Sequence, residues 1–241
     1  MNISTLEYKK RIQLVQNTIK NSGIDTLIIS EEEDIYYLTG LTYKSLERLF
    51  LLIITANNVS FIVPKMELAH LNKVDNINEI KSYWEYPAPK PERWQDVLLE
   101  QVKDSKLIGI GGKTPYEVSD FLASVNLTTE ANTILEKQRW IKSDAEIDLI
   151  KQASKYCDIS IEKLNKSAYF GMSELEVFSI GRSIQQKVIK ETPFDYLATN
   201  ILVAAWPSRI SYQPHGIPKV SDLLVEGSHI SLAFLRVNGY S

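Results

Sequence analysis

The first 130 residues alternate between two periodicities, and this limits the fold to a sheet with helices packed on it. Leu6 to Lys20 carries Ile12, Val15 and Ile19 at helical spacing, and Gly23 stops the pattern. Thr26-Leu27-Ile28-Ile29 then reads as a short buried strand. Arg48–Thr55 and Val59–Val63 are apolar, β-branched runs separated by Ala56-Asn57-Asn58, a hairpin signal if an asparagine takes the positive φ of a tight turn. Glu92–Val102 is predicted as a helix opened by Pro91 in its first turn. Leu107-Ile108-Gly109-Ile110 is predicted as a strand, followed by Thr114 as N-cap, Pro115 at the first helical position, and a helix to about Ala123. Such alternation predicts an α/β domain with a mixed sheet over residues 1–133.

From Gln138 the pattern changes. Ser143-Asp144-Ala145-Glu146 and Ser173-Glu174-Leu175-Glu176 are capping boxes, in which serine and glutamate satisfy each other's backbone amides. The first opens a helix predicted to bury Ile147, Ile150, Ala153, Cys157, Ile161 and Leu164. The second opens a helix to about Ile189, and strands follow at Thr199–Ala205 and Ile230–Val237. A second domain over residues 138–241 is expected, with the boundary between 132 and 142.

Bulk properties exclude several functions. A net charge of −3, with Lys and Arg scattered among acids, lacks the basic stripe of a nucleic-acid-binding protein. Cys157 is the sole cysteine, which rules out an intrachain disulfide and a cysteine-based zinc site; its place on an apolar helix face suits a core residue. The start lacks a signal-peptide layout, and the apolar run Leu49–Ala56 is too short to span a bilayer. A cytoplasmic protein without membrane partners is expected.

Two motif readings fail. Gly109-Ile110-Gly111-Gly112-Lys113-Thr114 sits where phosphate loops sit, but Leu107 and Thr114 stand where the P-loop and the dinucleotide pattern require glycine. A turn with a helix cap is the expected role. The three histidines, His70, His215 and His229, form no i,i+4 pair; His70 reads as solvated and His229 as part of a turn at a strand head.

Several stretches occur in a telling order: Asp34-Ile35-Tyr36-Tyr37-Leu38-Thr39-Gly40, then Gln138-Arg139-Trp140-Ile141-Lys142-Ser143-Asp144-Ala145-Glu146-Ile147, then Gly171-Met172-Ser173-Glu174. Last come Gln213-Pro214-His215-Gly216-Ile217-Pro218, Glu226-Gly227 and Asn238-Gly239-Tyr240. Together they resemble the pita-bread hydrolases of the creatinase and Xaa-Pro peptidase family. The resemblance implies a creatinase-like N-terminal α/β domain, followed by a pita-bread α+β domain cut off after its first part. It also implies a homodimer acting on a short peptide or small nitrogen-containing molecule.

Peptidases of this family hold two divalent metals with five ligands. The resemblance puts the first ligand, an aspartate, at Ala233, whose methyl group cannot bind a metal; the other four are expected beyond Ser241. No metal or other cofactor is therefore expected here. Creatinase-like members lack the metals and use a histidine as general base in the loop that His215 occupies. This assigns His215 as catalytic, with Arg209 and Tyr212 beside it for substrate binding. Arg48, in the region where creatinase-like members send a basic residue into a neighbouring subunit's site, is assigned as a third substrate-binding residue. The favoured expectation is the metal-independent C–N hydrolase branch, this chain alone being inactive. The alternatives are a metal-dependent Xaa-Pro dipeptidase or aminopeptidase, and a non-catalytic binding or dimerisation module. The strands after Thr199 are expected to keep an unpaired edge and an uncovered apolar face.

Overall fold

The computed structural model describes residues 2–71, 74–213, 215–227 and 229–241. They form two compact units, residues 3–142 and residues 143–241 with Asn2.

The first unit begins with α1 (Thr5–Ser22), capped by Ser4 and ended by Gly23 at φ 79°. The remaining elements are β1 (Thr26–Ile29), α2 (Glu32–Thr39), β2 (Leu51–Thr55), β3 (Val59–Pro64), a 3₁₀ turn at Lys65–His70, β4 (Glu79–Tyr83), α3 (Trp94–Val102), β5 (Leu107–Ile110), α4 (Tyr116–Ser124), β6 (Thr128–Ala131) and α5 (Ile134–Trp140). The strands form one mixed sheet in the order β4-β3-β2-β1-β5-β6. β1 lies antiparallel to β2 and parallel to β5.

The continuous apolar runs have a plain cause: this sheet is buried on both faces. Leu27, Ile29, Leu52, Ile54, Phe61 and Val63 point to the side of α1, α2 and α5, where Val15, Ile35 and Leu135 meet them. Ile28, Leu51, Ile53 and Ile62 point to the side of α3 and α4, against Leu98 and Leu122. Each such side chain contributes roughly 1.5–3 kcal/mol by leaving water.

Three local expectations are corrected. Among the described residues, the non-glycine positions with positive φ are Leu46, Asn126 and Asn238, so the β2–β3 turn does not use left-handed asparagine. Thr55 closes that turn instead: its amide donates to the Asn58 carbonyl at 2.9 Å, and its Oγ1 accepts from the Asn58 amide at 3.1 Å. Pro91 lies outside α3, which starts at Trp94 with the Asp96 carboxylate accepting from the Arg93 amide at 3.3 Å. The helix start thus rests on an acid that satisfies a backbone amide and faces the positive end of the helix dipole, not on a proline. Thr114 does not cap α4; its amide closes a turn onto Gly111 at 3.1 Å, and its hydroxyl is buried without a partner. The α2, β4, β6 and α5 elements were not predicted at all. α5 places the end of the first unit at Lys142.

The second unit contains α6 (Asp144–Ser167), α7 (Glu174–Glu191), β7 (Asn200–Pro207), a 3₁₀ turn at Ser208–Ile210 and β8 (His229–Arg236). Both capping boxes form. Ser143 Oγ accepts from the Glu146 amide and Ser173 Oγ from the Glu176 amide, and each glutamate carboxylate accepts from the serine amide in return. α6 turns its face slightly from the predicted one, burying Glu146, Leu149, Ala153, Ser160 and Leu164 while Ile147 is exposed. Cys157 is correspondingly half-buried rather than in the core, its Sγ 3.9 Å from the Ala233 carbonyl. β7 and β8 pair antiparallel over their whole length, with Val203 opposite Ala233. Among the described residues β8 has no second strand partner, and Ile230 and Phe234 are exposed on it.

Candidate functional site

The segment joining β7 to β8 carries three of the four residues singled out from sequence. It leaves β7 at Pro207, passes through the 3₁₀ turn, and tightens twice: the Gln213 amide donates to the Ile210 carbonyl at 2.9 Å, and the Gly216 amide to the Gln213 carbonyl at 2.9 Å. A Cβ on Gly216 would stand 3.2 Å from that carbonyl, which explains the small residue. His215 therefore stands exposed at the crest of a turn. Tyr212, 75% exposed, holds its phenol oxygen 2.9 Å from Gln213 Nε2. Pro214 and Ser228, both within the stretches read from sequence, lie outside the described residues.

Arg209 reaches across the segment to Asp222, its Nη2 donating to Oδ1 at 3.0 Å. Beyond it the chain is tied to the start of α7. The Leu224 amide donates to the Met172 carbonyl at 2.8 Å, the Gly171 amide to the Leu224 carbonyl at 2.8 Å, and the Glu174 amide to the Asp222 carbonyl at 3.0 Å. The Glu174 carboxylate accepts the Lys219 amide on Oε2 at 3.2 Å, while Oε1 is buried with no partner. Burial raises the Glu174 pKa; the Lys219 amide opposes the shift and the nearby Asp222 charge adds to it. Glu174 stands in the sequence within a capping box and the Gly171–Glu174 stretch, with nothing local to mark it or Asp222 as part of a site. The acid at the first helical position was visible, but its burial was not.

The remaining candidates lie elsewhere. Arg48 belongs to the first unit, where its guanidinium meets Glu85 at 3.0 Å and Glu47 and Glu67 at 3.6 Å each. His70 is exposed, 3.2 Å from Glu67. His229 accepts the Val225 amide on Nε2 at 3.4 Å and stands 3.1 Å from the Gly227 carbonyl through Nδ1, the turn chemistry expected of it. In the glycine-rich stretch, a Cβ on Gly109 would collide with Asn132 at 2.6 Å, and Lys113 is bound to Glu31 at 2.9 Å. Packing and an ion pair thus account for the glycine and the lysine of that stretch.

Residues 11–141 match the creatinase/prolidase N-terminal domain family, more than half of the sequence. This chain belongs to that family. YkvY of Bacillus subtilis (strain 168), which carries a provisional dipeptidase name, is 29% identical over 224 residues, covering 88% of this chain and 58% of that protein. An uncharacterized peptidase of Staphylococcus aureus (strain USA300) is 27% identical over 213 residues, covering 86% and 57%. Among solved structures, the Xaa-Pro dipeptidase from Bacillus anthracis superposes with a TM-score of 0.68 at 19% identity, covering 97% of this chain and 61% of that one. The recombinant prolidase from Thermococcus sibiricus gives 0.69 at 21% identity, covering 94% and 60%. The creatinase/prolidase fold therefore extends through both units. The chain spans less than two thirds of the length of each of these relatives.

The resemblance puts the first ligand of the family's metal pair at position 233. Ala233, on β8 opposite Val203, offers no side-chain donor. Among the described residues, no group of three His, Cys, Asp or Glu side chains is placed to hold an ion. No helix among them is long and apolar enough to cross a membrane.

Proposed function

We propose that the chain forms part of a hydrolase that cleaves a C–N bond in a short peptide or small nitrogen-containing molecule without a metal. In this reading His215 is the general base. An imidazole titrates near neutral pH, so it can take a proton from water as the water attacks and return it to the departing nitrogen. Tyr212 lies alongside as a hydrogen-bonding phenol. Arg209 spends one Nη on Asp222, and a guanidinium carries five donors, so it retains capacity for a substrate carboxylate. Arg48 would reach substrate only by exchanging its carboxylate partners for it.

The observation that carries the reading is an exposed His215 in a chain with an alanine at position 233, on a fold shared with Xaa-Pro dipeptidases. The names of the relatives favour a second reading, an Xaa-Pro dipeptidase, which the family resemblance implies would depend on metal. The homodimer and the cytoplasmic location belong to the same proposal, and sedimentation analysis tests the former.

Titration calorimetry with Mn²⁺, Co²⁺ and Zn²⁺ is run beside an Xaa-Pro dipeptide hydrolysis assay on wild type and His215→Ala. Because four of the five family ligands are expected beyond Ser241, metal silence alone fits both readings, and the effect of His215→Ala on turnover separates them. The metal-free reading expects no stoichiometric binding, and a loss of roughly 10²–10⁴ in any measured turnover when His215→Ala removes the base. Stoichiometric binding with metal-dependent turnover would overturn it in favour of the dipeptidase.

A further inference from the structure

Among the described residues, the His215 turn has no regular secondary structure to hold it beyond one 3₁₀ turn, yet its far limb is tied down at several points. Those ties converge on the first residues of α7. Ser173 bridges Leu223, and Met172 and Gly171 exchange backbone bonds with Leu224. Glu174 contributes twice, its amide to the Asp222 carbonyl and its carboxylate to the Lys219 amide. Asp222 in turn holds Arg209 on the near limb. A carboxylate is an unusual choice for such a tie. It is 98% buried by accessible surface, since 2% is exposed, and one of its oxygens has no partner. Burying an acid with a vacant oxygen is costly, so the side chain stabilises the fold poorly compared with an apolar residue of similar size.

We propose that Glu174 is the positioning residue of the His215 turn: with the Arg209–Asp222 ion pair it fastens both limbs of segment 208–224 to the start of α7 and so sets the direction of the imidazole. The proposal rests on the reading of His215 as a functional residue. Glu174 acts through backbone groups, mainly the Lys219 amide, rather than at the reacting atoms. The charged groups facing it from the packed segment are Asp222, Arg209 and Lys219. Gln at this position keeps an oxygen for the Lys219 amide, whereas Ala does not.

The test uses the full chain and its three histidines, whose ring signals can be separated by NMR. Glu174→Ala is expected to move the His215 ring resonances and to speed amide exchange at Lys219 about tenfold, the effect of losing one hydrogen bond. His70 in the first unit should stay unchanged. Glu174→Gln should restore both signals towards wild type, whereas Glu174→Met, of similar size but without an acceptor oxygen, should not, a difference that a merely space-filling role would not produce. Should Glu174→Ala fail to fold, Lys219→Pro removes the donor while leaving α7 intact, and it should move His215 alike. Unchanged His215 signals in Glu174→Ala, or in Lys219→Pro, would overturn the proposal. A Gln variant indistinguishable from Ala would also overturn it. If instead His215→Ala leaves hydrolysis untouched while these signals shift, the assignment of the base fails and the fastening stands.

Discussion

At the scale of single residues, Gly181 shows how narrow some tolerances are. A Cβ there would lie 2.7 Å from the Val203 amide nitrogen and 2.9 Å from the Ile201 carbonyl, backbone atoms that cannot swing aside. Gly181→Ala should therefore destabilise the second unit by about 1–3 kcal/mol, the usual cost of forcing atoms into a packed contact, as read by urea unfolding. Glu174 gives a pH dependence whose sign follows from its raised pKa. The folded state binds the Glu174 proton more tightly than the unfolded state does. The stabilising contribution is thus fully present below the ordinary carboxylate value of about 4.3, and it is lost as pH rises through the folded value. A series of melting curves should show Glu174→Gln flattening this fall relative to wild type; a parallel pair of curves would contradict the assignment.

At the scale of elements, the two capping boxes are the strongest local signals in the sequence and both are realised. Ser143→Ala and Ser173→Ala should each cost about 1 kcal/mol in denaturant melts. Ser173 also sits in the bridge to Leu223, so its substitution should additionally raise amide exchange at Leu224, which Ser143→Ala should not. Other elements were hidden from local reading. The sequence of α2 begins with three acids and ends at Gly40, and only Ile35, its tyrosines and Leu38 hint at burial. β6 is polar and largely exposed, an edge strand recruited by pairing with β5 rather than by its own propensity.

At the scale of the whole molecule, the described residues of the first unit form a six-stranded sheet covered on both faces, whereas those of the second form two strands with an exposed apolar pair, Ile230 and Phe234. A fragment of residues 3–142 is expected to melt cooperatively on its own, as followed by circular dichroism, because both faces of its sheet are buried within it. Broad, non-cooperative melting of that fragment would count against this.

The sequence by itself determined α1, β1, α3, β5 and α4, the hairpin of β2 and β3, and both capped helices with the strands that follow them. All of these depend on contacts within a few residues or on periodicity along one element. The tertiary structure decided which face α6 buries, that Thr114 leaves α4 uncapped, that Arg48 is held by three carboxylates, and that Glu174 anchors a segment some forty residues away. Those outcomes depend on partners distant in sequence, and their energies come from burial and from pairing across the fold.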